Sequence, residues 1–114
     1  MTFDETYSEA FGFDAPSIEI AHVLRDGVPV PELPIRVPLR MMNRHGMIAG
    51  STGTGKTRTL QLFAEGLSRA GVPVFLADVK GDLAAMSLAG EASERLMTRA
   101  ASVGRTHTPE AFPV

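Results

Sequence analysis

Between positions 50 and 57 the chain reads Gly50-Ser51-Thr52-Gly53-Thr54-Gly55-Lys56-Thr57, three glycines, a lysine and a terminal hydroxyl within eight residues. That spacing is G-x-x-x-x-G-K-[ST], the pattern of a phosphate-binding loop. A triphosphate needs many hydrogen-bond donors close to its oxygens. Backbone N–H groups supply them where the chain can curl and approach closely, and Gly50, Gly53 and Gly55 allow both because they lack Cβ. Lys56 would set a point charge against the β- and γ-phosphates, and the Thr57 hydroxyl would ligate Mg2+. A helix opening at Lys56 would aim the positive end of its dipole at the same anion. The expectation is a nucleoside triphosphate site over Gly50–Thr57, with Thr57 on the metal.

Such a loop works only between a strand and a helix. Ahead of it, Gly46-Met47-Ile48-Ala49 is a short apolar run that reads as a buried parallel strand. Behind it, Leu60, Phe63, Ala64 and Leu67 recur at helical spacing. Arg69 suits a last turn, Gly71 a C-terminal cap, and Pro73 stops the helix. Val72 to Ala77 is a second continuous apolar run, closed by Asp78, and reads as a second parallel strand reached by a right-handed crossover. Asp82 is placed to cap a short helix holding Leu83, Ala84 and Met86. A further helix is expected over 92–103, with Gly104 as its stop, then a loop over 106–110. Ala111-Phe112-Pro113-Val114 looks like the beginning of another strand.

The N-terminal third is different. Residues 1–15 form an acidic tail with scattered aromatics, Phe3, Tyr7, Phe11 and Phe13, and a poorly ordered or docking arm is expected there. Ser17 to Leu24 reads as a strand, and Arg25-Asp26-Gly27 as a tight hairpin turn with Val28 and Val30 starting the return. Pro29, Pro31, Pro34 and Pro38 are half of the chain's eight prolines. Proline has no N–H for a ladder, so this stretch reads as an extended edge or connector. The expected organisation is a tail over 1–15, a small β appendage and proline-rich connector over 16–40, and a nucleotide-binding core over 41–114. The fold class is α/β, a partial phosphate-loop NTPase core with few parallel strands behind a small hairpin.

The 114 residues suffice for one small domain, and the hydrophobic and charged fractions are those of a globular protein. With no cysteine, disulfides and thiolate metal sites are excluded. The first residues are acidic and no apolar run is long enough to span a bilayer, so a cytoplasmic protein with no membrane partner is expected. Charge is segregated: seven acids and one base up to Glu32, then five bases and no acid from Leu33 to Ala64. The phosphate loop therefore sits in a cationic stretch containing Arg36, Arg40, Arg44 and Arg58, although the first three could equally be solvated surface charges. The chain is not basic enough to argue nucleic-acid binding from charge. His22, His45 and His107 have no metal-ligand spacing.

Gripping a triphosphate and hydrolysing it are separate requirements. Hydrolysis needs a magnesium-side carboxylate and a group that orients the attacking water. Asp78 follows an apolar strand and is the candidate acid. The alternative is that another strand lies between, leaving Asp78 in a neighbouring loop and the magnesium acid elsewhere. No arginine has a context that marks it as a finger.

The stretch Met42-Asn43-Arg44-His45-Gly46-Met47-Ile48-Ala49-Gly50, running into Ser51–Thr57, resembles the HerA-like branch of the HerA/FtsK ATPases. That branch carries an Arg-His pair before its phosphate-loop strand. Pro73-Val74-Phe75-Leu76-Ala77-Asp78-Val79-Lys80-Gly81-Asp82 matches the family's apolar strand followed by Asp-x-Lys-Gly-acid. The resemblance is good over about 35–82 and implies a RecA-like core that assembles as a hexameric ring and moves DNA with ATP. It also implies adenine as the base, Gly50–Thr57 on phosphates and magnesium, the Arg58 amide on the α-phosphate, and Asp78–Asp82 lining the next loop. Family members run longer, with the magnesium acid and arginine finger on later strands. The resemblance thus implies the N-terminal part of a helicase or translocase, an ATP binder not hydrolytically competent alone. Two other readings stay open: a small phosphotransferase, which needs an acceptor-binding lid with arginines after the second strand, where Lys80, Arg95, Arg99 and Arg105 occur but no lid is evident, and a non-catalytic nucleotide-binding or interaction fragment.

Overall fold

The computed structural model describes residues 1–113. Helix α1 spans Phe3–Phe11. It starts where Thr2 and Glu5 cap each other: Glu5 N–H donates to Thr2 Oγ1 at 3.3 Å and Thr2 N–H donates to Glu5 Oε2 at 2.7 Å. This reciprocal box satisfies two orphan donors, and Asp4 and Glu5 favour the positive end of the helix. Phe3, Tyr7 and Phe11 fall four residues apart, so their rings stack along one face with centroids 4.6 and 5.6 Å apart. Arg25 lies over the Phe3 ring at 5.4 Å and pairs with Asp4, fastening the helix to the hairpin. Of the two expectations for this segment, a poorly ordered tail or a docking arm, the capped helix and its contacts with Arg25 resemble the second. Thr2-x-x-Glu5 was the readable signal.

Strands β1 (Ser17–Arg25) and β2 (Val28–Pro38) pair antiparallel from Arg25↔Val28 back to Ser17↔Pro38. Asp26 at φ 50° and Gly27 at φ 78° make the tight turn, as the Asp-Gly pair leads one to expect. β2 continues through all four prolines of the connector. In a two-stranded sheet every strand is an edge, so a missing N–H can face outward. The register slips between Glu19 and Ala21 and between His22 and Leu24.

Helix α2 (Lys56–Arg69) lies across β1. At Gly66 the two elements pack tightly enough that a methyl group would fall 2.7 Å from Ile18 Cγ2. The buried apolar set is thin: Ile18, Val23, Leu33, Ala64, Leu83 and Phe112. Helix α3 (Glu94–Ala101) is capped by Ser93, whose hydroxyl accepts from Leu96 N–H at 3.3 Å. After it, Arg105 returns to β1 and donates from Nε to Glu19 Oε1 at 2.9 Å, with its Nη2 on Oε2. Arg36 Nη2 and His22 Nε2 each stand 3.4 Å from the same carboxylate.

The two expected parallel strands do not form. Residues 46–49 and 72–77 have no ladder partner among the described residues, where β1 and β2 make the one sheet. A strand exists only through its neighbour, and these runs are correspondingly open: Met47 is 88% and Phe75 93% exposed. The short helix expected after Asp82 is a 3-10 turn, Ala84–Ser87, and residues 111–113 pack without strand pairing. The expected last strand also includes Val114, which lies outside the described residues. The radius of gyration is 15.2 Å, against about 13 Å for a compact chain of this length.

Candidate phosphate site

The loop before α2 is shaped by its glycines. Gly53 sits at φ 79° and Gly55 at φ 98°, backbone states that cost a side-chain-bearing residue about 1–2 kcal/mol. At Gly50 a Cβ would meet Thr54 Oγ1 at 2.5 Å. One carbonyl gathers the turn: Ser51 C=O accepts from Thr54 Oγ1 at 2.7 Å, Thr54 N–H at 3.3 Å and Lys56 Nζ at 2.8 Å. Lys56 is therefore folded back over the loop it terminates. Gly55 occupies the cap position of α2, and no side chain caps the helix, so the first-turn amides open toward the loop. Thr59, one turn in, returns its N–H and hydroxyl to Gly55 C=O at 3.0 and 3.1 Å. Gly50 to Thr54 and Thr57 are exposed.

The donor set suits an anion with a magnesium ion. It offers an ammonium, a row of uncapped amides and the Thr57 hydroxyl. No cluster of His, Asp and Glu among the described residues would hold a metal by itself, so the phosphates would have to supply most of the ligands.

Asp78 is exposed, and its carboxylate turns back on its own loop. Its Oδ1 accepts from Lys80 N–H at 3.2 Å and its Oδ2 from Leu83 N–H at 2.7 Å. The carboxylate thus closes the Asp78–Leu83 loop, while the following 3-10 turn begins at Leu83 with no side-chain cap, neither from Asp82 as expected nor from Asp78. Gln61 joins this loop to α2. It is the one buried polar residue among those described. Its Oε1 accepts from Arg58 Nη1 at 3.1 Å, and its Nε2 donates to Asp82 C=O at 3.4 Å. The Gln61 link was missed because helical periodicity put Leu60, Phe63, Ala64 and Leu67 on the core face; Ala64 is buried as expected, but its buried companion is Gln61 and Leu60 is left exposed.

The basic stretch does not converge as a unit. Arg36 turns to Glu19 on β1. Arg40, Arg44 and His45 are exposed, and neither arginine has an ion-pair partner among the described residues. Among the other histidines, His22 is held below its ordinary value by burial first and by the Arg36 guanidinium second. A cleft of about 930 Å³ lies beside α2 and is lined by Gln61, Glu65, Arg69, Arg105, Glu110 and Phe112 among others. It is not lined by Gly50–Thr57. Arg69 closes its rim, donating from Nε and Nη2 to Glu110 Oε2 at 2.9 and 2.7 Å and lying 5.2 Å over the Phe112 ring. Among the described residues no helix is long and apolar enough to cross a membrane.

A family model described as Helicase HerA-like C-terminal matches residues 24–114. No curated protein and no solved structure matches the chain.

Proposed function

The chain belongs to the HerA-like C-terminal helicase family, and from that premise we propose that it binds ATP with Mg2+ through Gly50–Thr57, as part of a DNA-translocating motor. One observation carries the reading. The glycine loop curls around Ser51 C=O directly before a helix that no side chain caps, with Lys56 and Thr57 as that helix's first residues. Phosphate oxygens would take the amides of the first turn, Arg58 N–H included, while Lys56 would leave Ser51 C=O for the β/γ-phosphates. Bound magnesium would draw on Thr57 and supply charge neutralisation at the phosphates.

Hydrolysis by this chain alone is proposed to be slow. Both oxygens of Asp78, the one acid in the expected position, accept backbone amides, which orients the carboxylate toward its own loop. The phosphotransferase reading loses support because Arg105, one of the arginines a lid would need, is taken by Glu19. DNA, and a ring of six copies, enter through the family premise, as does adenine.

Thermal unfolding with and without Mg-ATP tests the binding. At a nucleotide concentration a hundred times Kd, stabilisation should be about 2.7 kcal/mol, and Lys56→Ala should remove most of it. No stabilisation at millimolar Mg-ATP would refute the reading. Steady multiple turnover by the wild-type chain, lost in Lys56→Ala, would refute the claim of slow hydrolysis.

A further inference from the structure

The Asp82–Leu83 peptide is held on both of its sides. Its carbonyl accepts from Gln61 Nε2 at 3.4 Å and its N–H donates to Asp78 Oδ2 at 2.7 Å. A single peptide plane therefore connects α2 to the Asp78 carboxylate. The orientation of the Gln61 amide is also fixed from the other end. An arginine can only donate, so the atom facing Arg58 Nη1 at 3.1 Å must be the amide oxygen, and the NH2 group is left to point at Asp82 C=O. Reversing the amide would set oxygen against oxygen on one side and donor against donor on the other. Burial raises the cost of either mismatch.

Arg58 belongs to the first turn of α2, directly after Lys56 and Thr57. Resting on the ATP reading given above, we propose that Gln61 is a positioning residue that couples occupancy of the phosphate loop to the Asp78–Leu83 loop. Nucleotide fixes the first turn of α2. The Arg58 guanidinium then holds the Gln61 amide in one orientation, and Gln61 holds the 82–83 peptide and with it the Asp78 carboxylate. The chain of contacts is continuous, from Arg58 to Gln61 to the peptide to Asp78, and every member has a defined donor and acceptor. No side chain caps the first turn of α2, so without nucleotide that end would be the part of the helix most open to fraying. The ligand thus has something to tighten at both loops.

Hydrogen exchange on the whole chain, with and without saturating Mg-ATP, reads the coupling. In the wild type, exchange should slow over residues 50–59 and also over 80–86. Gln61→Met keeps the side-chain length and removes the amide. Gln61→Glu keeps an acceptor for Arg58 and turns a carboxylate toward the Asp82 carbonyl. In both variants the slowing at 50–59 should persist, while the nucleotide-dependent slowing at 80–86 should fall about fivefold, as for one lost hydrogen bond. A purely structural role would speed exchange at 80–86 in the empty protein and leave the nucleotide-dependent ratio unchanged, which would overturn the proposal. If Gln61→Met does not fold, Gln61→Glu carries the comparison. A wild-type response at 50–59 without one at 80–86 defeats the coupling alone. No response at 50–59 defeats the ATP reading and the coupling with it.

Discussion

Gly66→Ala tests whether the helix carrying the phosphate loop is seated on β1 as described. Alone, the change favours the helix by about 1 kcal/mol, because alanine loses less backbone entropy than glycine. Against this, the new methyl would stand 2.7 Å from Ile18 Cγ2, 3.0 Å from Cγ1 and 3.2 Å from Cδ1. Ile18 is 6% exposed and branched at Cβ, so its room to move aside is restricted. Overpacking of this kind costs about 1–3 kcal/mol. The net expectation is a loss of about 1 kcal/mol, read as a fall of about 4 °C in Tm or as a lower urea midpoint at unchanged slope. The sign should reverse when the obstruction is removed. Ile18→Ala costs about 2–5 kcal/mol by itself, but in that background Gly66→Ala should stabilise by about 1 kcal/mol. The two sites should therefore couple by about 2 kcal/mol. Ile18→Val is the control, since valine keeps both γ-carbons and with them the obstruction. If Gly66→Ala stabilises the chain equally in every background, α2 does not sit on Ile18.

Two further outcomes follow from the packing around this helix. His22 has its pKa lowered in the fold, so the unfolded chain takes up a proton first as pH falls. The stability it contributes is complete above the unfolded value, about 6.5, and is lost as pH drops toward the folded one. Urea midpoints should decline across that window in the wild type and decline less in His22→Gln. Arg69→Ala should lower the midpoint more than Glu110→Ala, because it removes both the half-exposed ion pair and the contact over Phe112. The difference should be about 0.5 kcal/mol, and equal effects would show that the ring contact contributes nothing.

What the sequence disclosed tracks how locally each feature is determined. The glycine turns at Gly53 and Gly55, the start of α2 at Lys56 and the Asp26-Gly27 turn depend on residues within a few positions, and each was readable. The α1 helix is equally local, set by the Thr2–Glu5 capping box, but it buries no residue and so lacks the apolar core stripe by which a helix is recognised in sequence. The runs 46–49 and 72–77 have the composition of buried strands, but composition cannot supply a neighbour to pair with. Asp78 was read as a chemical group because it closes an apolar run; its use as a brace depends on Leu83 N–H, which only the folded loop brings near. Gln61 was invisible for a related reason. A lone glutamine in an amphipathic helix looks solvated until the carbonyl facing it is known.

Glu19 also says something about the order of assembly. Its partner Arg36 is 17 residues away and lies in the same hairpin, whereas Arg105 is 86 residues away. Closing the longer loop costs about 1.4 kcal/mol more chain entropy than closing the shorter one. The hairpin is thus the part that can form early, presenting a carboxylate already braced by Arg36. The α3 segment then docks late onto a prepared partner. The slowest contact to form would be the one joining the two ends of the chain's order, and unfolding would begin by releasing it.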